Sequence, residues 1–99
     1  MNKFRELSAF VAVVDAGAFN EAARRLALSP SVVTRLVAEM ETRLDVRLLT
    51  RTTRKIALTE AGERFYRDSL RLLWDLAELE AAATGAQLIP QGMLRITAP

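Results

Sequence analysis

The sequence predicts a mostly α-helical fold: a helix-turn-helix with a three-helix core, a short β-hairpin wing, and a long helix behind it. Three observations predict it. Residues 19 to 38, FNEAARRLALSPSVVTRLVA, read as two short helices joined by a tight turn. Residues 48 to 58 read as two brief strands around an Arg- and Thr-rich tip. From residue 59 to about Gln87 there is no proline and helix formers are frequent.

Each element has its own warrant. Phe4, Leu7, Ala9, Phe10, Val11, Val13 and Val14 make residues 4 to 15 a largely buried first helix, ended by Gly17. The second helix spans about 19 to 27, with Phe19, Ala22, Ala23 and Leu26 at helical spacing. The third spans about 30 to 43, with Val33, Leu36, Val37 and Met40 recurring in the same way. Ser29 is placed to accept hydrogen bonds from the unpaired N–H groups of that helix. Pro30 follows at the first helical position, where its missing N–H costs nothing. Ala22, Ala23 and Ala27 are small enough to let two helices cross closely. Leu48 and Leu49, Arg51 to Thr53, and Lys55 to Leu58 make up the hairpin. Thr59, ahead of Glu60 and Ala61, is a good N-cap for the long helix. That helix reaches roughly 40 Å at about 1.5 Å per residue, and Gly85 weakens its last turn.

Composition narrows the function. Ninety-nine residues make one small domain with a modest core, and a partner chain is one way to complete it. Hydrophobic residues are 51% and charged residues 26%, in the ordinary range for a globular protein. No apolar run is long enough for a membrane span and no signal-peptide pattern is present, so a cytoplasmic location is expected. There is neither cysteine nor histidine. Disulfides, thiol nucleophiles, imidazole bases and the usual zinc ligands are thereby removed. No Gly-rich phosphate loop and no carboxylate pair at a recognisable spacing stands in their place. The chain is not expected to be an enzyme or to hold a metal or cofactor.

A helix-turn-helix layout places its second helix in the DNA major groove. Many small helical bundles share the layout without binding DNA, so the outward residues carry the argument. With Val33, Leu36, Val37 and Met40 turned to the core, Ser31, Val32, Thr34, Arg35 and Glu39 lie nearer the other side. Hydroxyls meet phosphates or bases, Arg reads guanine, and a Val methyl suits thymine. Net charge is only +2, but Arg43, Arg47, Arg51, Arg54 and Lys55 stand against one acid, Asp45, in a single short segment. A solvated hairpin often carries such a run. Its place directly after the third helix is where a wing reaches the phosphate backbone.

The long helix carries a heptad-like stripe: Gly62, Phe65, Ser69, Leu72, Leu76, Leu79 and Ala83, spaced 3, 4, 3, 4, 3, 4. Tyr66, Leu70, Leu73 and Ala77 form a second stripe beside it. A single helix on a small bundle cannot bury both against its own domain. The expectation is a homodimer through residues of about 60 to 87, on Phe65, Ser69, Leu72, Leu76, Leu79 and Ala83. The other reading is one broad apolar face within a larger monomer. Trp74 would stiffen either interface.

These stretches together resemble the N-terminal DNA-binding region of the LysR-type transcriptional regulators. The resemblance rests on Leu7-Ser8-Ala9-Phe10-Val11-Ala12-Val13, Gly17-Ala18-Phe19, Ala22-Ala23-Arg24-Arg25-Leu26, Leu44-Asp45-Val46-Arg47-Leu48-Leu49 with Arg51, and Leu58-Thr59-Glu60-Ala61-Gly62. It covers essentially the whole chain, with the elements in the expected order. It implies a winged helix-turn-helix over 1–58, a dimerising linker helix over 59–88, and the hinge and opening strand of an effector-binding domain over 89–99. It also implies a bacterial regulator of transcription that reads an inverted repeat in duplex DNA as a homodimer. A tetramer is the other assembly that the resemblance allows for the full-length protein. By the same resemblance, base-reading and phosphate-binding positions fall on Ser29, Pro30, Ser31, Thr34 and Arg35, with wing contacts near Arg51 and Arg54 beside Lys55. The chain is then expected to be a piece of a longer regulator whose next domain takes a small-molecule inducer. Four residues depart from the family pattern: Pro30-Ser31 where Gln-Pro is common, Ala18 where a Ser cap is common, and Asp45 where Gly is usual. Asp tolerates a left-handed backbone better than most residues, so that turn survives. The alternative is a winged helix used as a protein-interaction module, with the basic strip incidental.

Overall fold

The computed structural model describes residues 2–51 and 55–85. Four helices and one hairpin follow in the order α1 (Lys3–Ala16), α2 (Phe19–Leu26), α3 (Pro30–Leu44), β1 (Leu49–Arg51), β2 (Ile56–Leu58) and α4 (Glu60–Thr84). The strands pair antiparallel, with Leu49 opposite Leu58, Thr50 opposite Ala57 and Arg51 opposite Ile56.

Local chemistry sets most of the boundaries. Asn2 begins α1, its side-chain oxygen accepting the Arg5 N–H at 3.1 Å. Gly17 ends it at φ 77°, a left-handed backbone that glycine adopts without a Cβ clash. Ser29 caps α3 through the Val32 N–H at 3.3 Å, with Pro30 in the first turn. Thr59 caps α4 through the Gly62 N–H at 2.9 Å. Ala18, by contrast, offers α2 no side-chain cap. Two non-glycine residues take the left-handed conformation, Ala27 at φ 59° and Asp45 at φ 55°. Asp45 thus serves as the C-cap expected of it. The turn inside the helix-turn-helix falls on Ala27, which has no polar side chain to ease that conformation.

The core lies where α1, α2 and α3 meet the root of the hairpin. Ala9, Phe10, Val13, Ala22, Ala23, Val33, Val37, Met40, Leu48 and Leu49 are all buried. Ala22 and Ala23 let α2 come close, as their size predicts. Full burial of a side chain such as Phe10 or Met40 stabilises the fold by about 1.5–3 kcal/mol. A charged pair joins them: Glu6 is 1% exposed, and the Arg43 guanidinium donates to its carboxylate at 2.5 Å. The pair bolts the start of α1 to the last turn of α3.

Helix α4 ends at Thr84, before Gln87, because Gly85 turns left-handed at φ 80°. Its 25 residues reach about 37 Å at about 1.5 Å per residue. The expected hinge and strand of 89–99 lie outside the described residues.

Candidate nucleic-acid interface

Helix α3 shows two faces. Val33, Leu36, Val37 and Met40 are buried, while Ser29, Pro30, Ser31, Arg35 and Glu39 are exposed and Val32 and Thr34 are half-buried. Ser29 Oγ and Ser31 Oγ lie 3.2 Å apart, so both hydroxyls gather at the helix start. Arg35 has 64% of its side chain exposed and stands 3.9 Å from the Glu39 carboxylate. An exposed pair of this kind contributes about 0–1 kcal/mol, so the guanidinium exchanges Glu39 for another acceptor at little cost. The first turns of α1, α2 and α4 carry acids: Glu6, Glu21, and Glu60 with Glu63. The first turn of α3 carries none. Its N-terminal partial positive charge is therefore unopposed by a side chain of its own turn.

The hairpin places part of the basic segment beside this face. The Arg51 guanidinium lies over the Phe19 ring, 4.7 Å from its centroid. Cation–π stacking occupies the flat side of the guanidinium and leaves its edge N–H groups available to an acceptor. Arg47 and Lys55 are exposed. Arg43 is a different case and corrects the sequence reading: it is committed to the buried Glu6, so it is a structural cation rather than part of the surface cluster. Arg54 lies outside the described residues.

Three features escaped the sequence reading. Arg24 and Arg25, in the last turn of α2, both donate to the half-buried Glu21. Hydrogen bonds from Arg24 first and Arg25 second hold the Glu21 carboxyl below its usual range. The i, i+3 and i, i+4 spacing of these charges was a readable signal. The stacking of Arg51 on Phe19 had no such signal, being made between α2 and β1. The same holds for Glu41, whose carboxylate accepts the Leu48 and Leu49 N–H groups at 2.8 and 3.0 Å.

The stripe on α4 divides in two. Phe65 packs edge-on against Phe10, with ring centroids 5.5 Å apart at 71°. Ser69 is 3% exposed, and its hydroxyl donates to the Phe65 carbonyl at 2.6 Å. Gly62 is buried, and a Cβ there would come within 2.0 Å of the Leu48 carbonyl oxygen. The Tyr66 hydroxyl donates to Asp15 of α1. Of the residues expected on a dimer seam, Ser69 is buried within its own domain and Phe65 is half-buried against it, because the first turns of α4 pass over α1 and the hairpin. Beyond them the surface opens. Leu70, Leu72, Trp74 and Leu79 are exposed, Leu72 by 59% and Leu79 by 67%. Leu76 is half-buried and Ala83 exposed. Leu72, Leu73 and Leu76 form, with Phe4 and Leu7 of α1, an apolar groove of about 270 Å³.

Known proteins resemble this chain in sequence and fold. Residues 4–63 match the family described as "Bacterial regulatory helix-turn-helix protein, lysR family". The chain is 44% identical over 91 residues to the HTH-type transcriptional regulator CrgA of Neisseria meningitidis, covering 92% of this chain and 30% of that protein. It is 38% identical over 96 residues to the HTH-type transcriptional activator AaeR of Escherichia coli, covering 97% of this chain and 31% of that one. The chain thus spans about a third of the length of the curated relatives it matches. Among solved structures it resembles the BenM DNA-binding domain in complex with catB site 1 DNA, with a TM-score of 0.81 and 30% identity over 85% of this chain and 92% of that one. The CbnR DNA-binding domain in its DNA complex is 40% identical at a TM-score of 0.75, over 85% and 94% of the two chains.

Proposed function

This chain belongs to the LysR family of bacterial helix-turn-helix regulators, and on that premise we propose that it is the sequence-specific DNA-binding part of a transcription regulator. Helix α3 enters the major groove. Ser31, Thr34 and Arg35 meet base edges, while Ser29, Pro30 and the helix start approach a phosphate. Arg51 and Lys55, with Arg54 at the wing, hold the backbone on the flank. One observation carries the reading: the exposed, acid-free start of α3, with Arg35 on its face and Arg51 on the neighbouring wing.

The chain acts as a homodimer. Leu72, Leu76, Leu79 and Ala83 on the outer half of α4 meet a second copy, and two α3 helices then read an inverted repeat. Support comes from the exposed leucines and from an apolar groove at the crossing of α1 and α4. The longer protein carries an inducer-binding domain for a small molecule, in keeping with the length of the relatives. It works where the DNA is, in the cytoplasm. No helix among the described residues is long and apolar enough to cross a membrane.

The test is a salt titration of binding to duplexes selected from a random pool and to shuffled duplexes. Specific binding should exceed shuffled binding by at least about a thousandfold. Its logarithm should fall linearly with the logarithm of salt concentration. Equal, weak binding to both would overturn the proposal in favour of a protein-interaction module.

A further inference from the structure

Glu41 stands in the last turn of α3, half-buried, and it organises the whole passage from that helix into the wing. Its backbone carbonyl accepts the Val46 N–H at 3.1 Å. Its carboxylate oxygen Oε2 accepts both the Leu48 N–H at 2.8 Å and the Leu49 N–H at 3.0 Å. The other side of the Leu48 residue is held as firmly. Its carbonyl accepts the Thr59 N–H at 3.0 Å, and the Thr59 hydroxyl donates to the preceding Arg47 carbonyl at 2.7 Å. Gly62 closes over that carbonyl so tightly that no Cβ fits. Leu48 is therefore gripped by α3 on one side and by the start of α4 on the other. Arg51 follows two residues after Leu49, over Phe19 of α2. Glu41, Arg47 and Arg51 line one groove of about 470 Å³ between α3 and the wing root.

We propose that Glu41 is a positioning residue for DNA binding: by holding the Leu48 and Leu49 N–H groups it sets the wing, and with it Arg51, at the height where phosphates lie when α3 occupies the major groove. The inference rests on the DNA-binding function proposed above. The physical reason is geometric. A three-residue strand paired with one neighbour has few bonds of its own to fix its angle to α3. A carboxylate accepting two adjacent N–H groups fixes both distance and tilt, and charge-assisted bonds of this kind are the stronger ones. Glu41 acts through Arg51 and touches no DNA.

The experiment uses the complete chain with Glu41→Ala, Glu41→Gln, Arg51→Ala and the Glu41→Ala/Arg51→Ala double variant. Affinity for a selected duplex and a shuffled duplex is measured across salt, alongside backbone amide exchange. Glu41→Ala should weaken both duplexes about tenfold and lower the salt slope by about 0.9 for each phosphate that Arg51 no longer neutralises. The ratio of selected to shuffled affinity should stay within about twofold. Amides of Leu48, Leu49 and the hairpin should exchange faster while those of α1 to α3 stay protected. Glu41→Gln, which keeps an acceptor oxygen, should restore most of the slope. The double variant should lose less affinity than the two single losses multiplied together, because two residues acting through one phosphate have non-additive effects. If Glu41→Ala fails to fold, Glu41→Asp, which shortens the reach and keeps the charge, makes the same comparison. A wild-type chain that binds no duplex overturns the DNA-binding reading and this role together. Wild-type binding with an unchanged slope in the Glu41 variants, or with effects that multiply with Arg51→Ala, overturns the role of Glu41 alone.

Discussion

Helices α3 and α4 each bury one face against the same small core and leave the other uncovered, yet the uncovered faces differ in kind. That of α3 presents two serine hydroxyls, a half-buried threonine and an arginine at an acid-free helix start. That of α4 presents Leu72, Trp74 and Leu79. A polar face of short hydroxyls and one guanidinium suits a charged, hydrated partner with donors and acceptors at fixed spacing. A leucine face gains only by leaving water, so it suits another protein surface. The contrast teaches that two helices packed on one core leave uncovered faces of opposite chemistry.

The strongest way to break the contrast is to put charge on the apolar face. Leu72→Asp with Leu76→Asp should weaken self-association by several kcal/mol, because buried unpaired carboxylates oppose pairing. Sedimentation at micromolar concentration should show a dimer for the wild type and a monomer for the variant. The helical circular dichroism should survive, because Leu72 is more than half exposed. A wild-type monomer with full affinity for a two-half-site duplex would end the dimer reading.

The inward half of the same helix should respond oppositely. Phe65→Ala should cost about 3 kcal/mol of folding stability by emptying the site beside Phe10. Thermal melts would register it. A loss of association at unchanged melting temperature would return Phe65 to the seam.

The polar face is sharpened by Arg35→Ala. Loss of roughly 1–3 kcal/mol of discrimination at one base position is expected, the range for a bidentate base contact. Equal losses on selected and shuffled duplexes would make Arg35 a phosphate contact instead. Arg51→Ala is the complementary case: it should weaken all sequences alike and lower the salt slope by about one. It should also cost about 0.5–1 kcal/mol of stability as the stacking on Phe19 disappears.

The smallest effect concerns the turn that joins the two helices of the motif. Ala27 holds φ 59°, a conformation that costs a non-glycine residue about 1–2 kcal/mol. Glycine removes that cost but adds about 0.4–1 kcal/mol of unfolded-chain freedom. Ala27→Gly should therefore stabilise by about 0.5 kcal/mol in a denaturant titration, with DNA discrimination unchanged. A destabilised variant would mean that the Ala27 methyl makes a contact of more weight than the strain.

Helix starts, helix ends and the two faces of α3 were legible in the sequence, because each depends on neighbours within about four residues. Ser29 with Pro30, Thr59 and Gly17 announce helix ends by their own chemistry, and Val33, Leu36, Val37 and Met40 announce a face by their spacing, whereas the caps at Asn2 and Ala27 were not read. The division of the α4 stripe was not legible. Phe65 and Leu72 sit on the same heptad positions, and nothing in their spacing says that Phe65 packs on Phe10 while Leu72 stays mostly exposed. Arg43 and Arg51 likewise looked alike within one basic run. Only the meeting of α1 with the end of α3 gives Arg43 a buried carboxylate, 37 residues away, as its partner.

By itself the sequence determined the order of elements, the caps, the core face of α3 and the family resemblance. Those properties follow from local backbone preference and periodicity, which act along the chain. The tertiary structure decided which half of α4 packs on its own domain and that Arg43 is paired to a buried carboxylate. It also decided that Glu41 grips the wing and that Phe19 carries Arg51. These are contacts between segments far apart in sequence, and their existence depends on the angles at which helices cross. A one-dimensional pattern of apolar and charged residues leaves those angles open. The packing of Phe10, Ala22, Val37 and Leu48 into one core settles them.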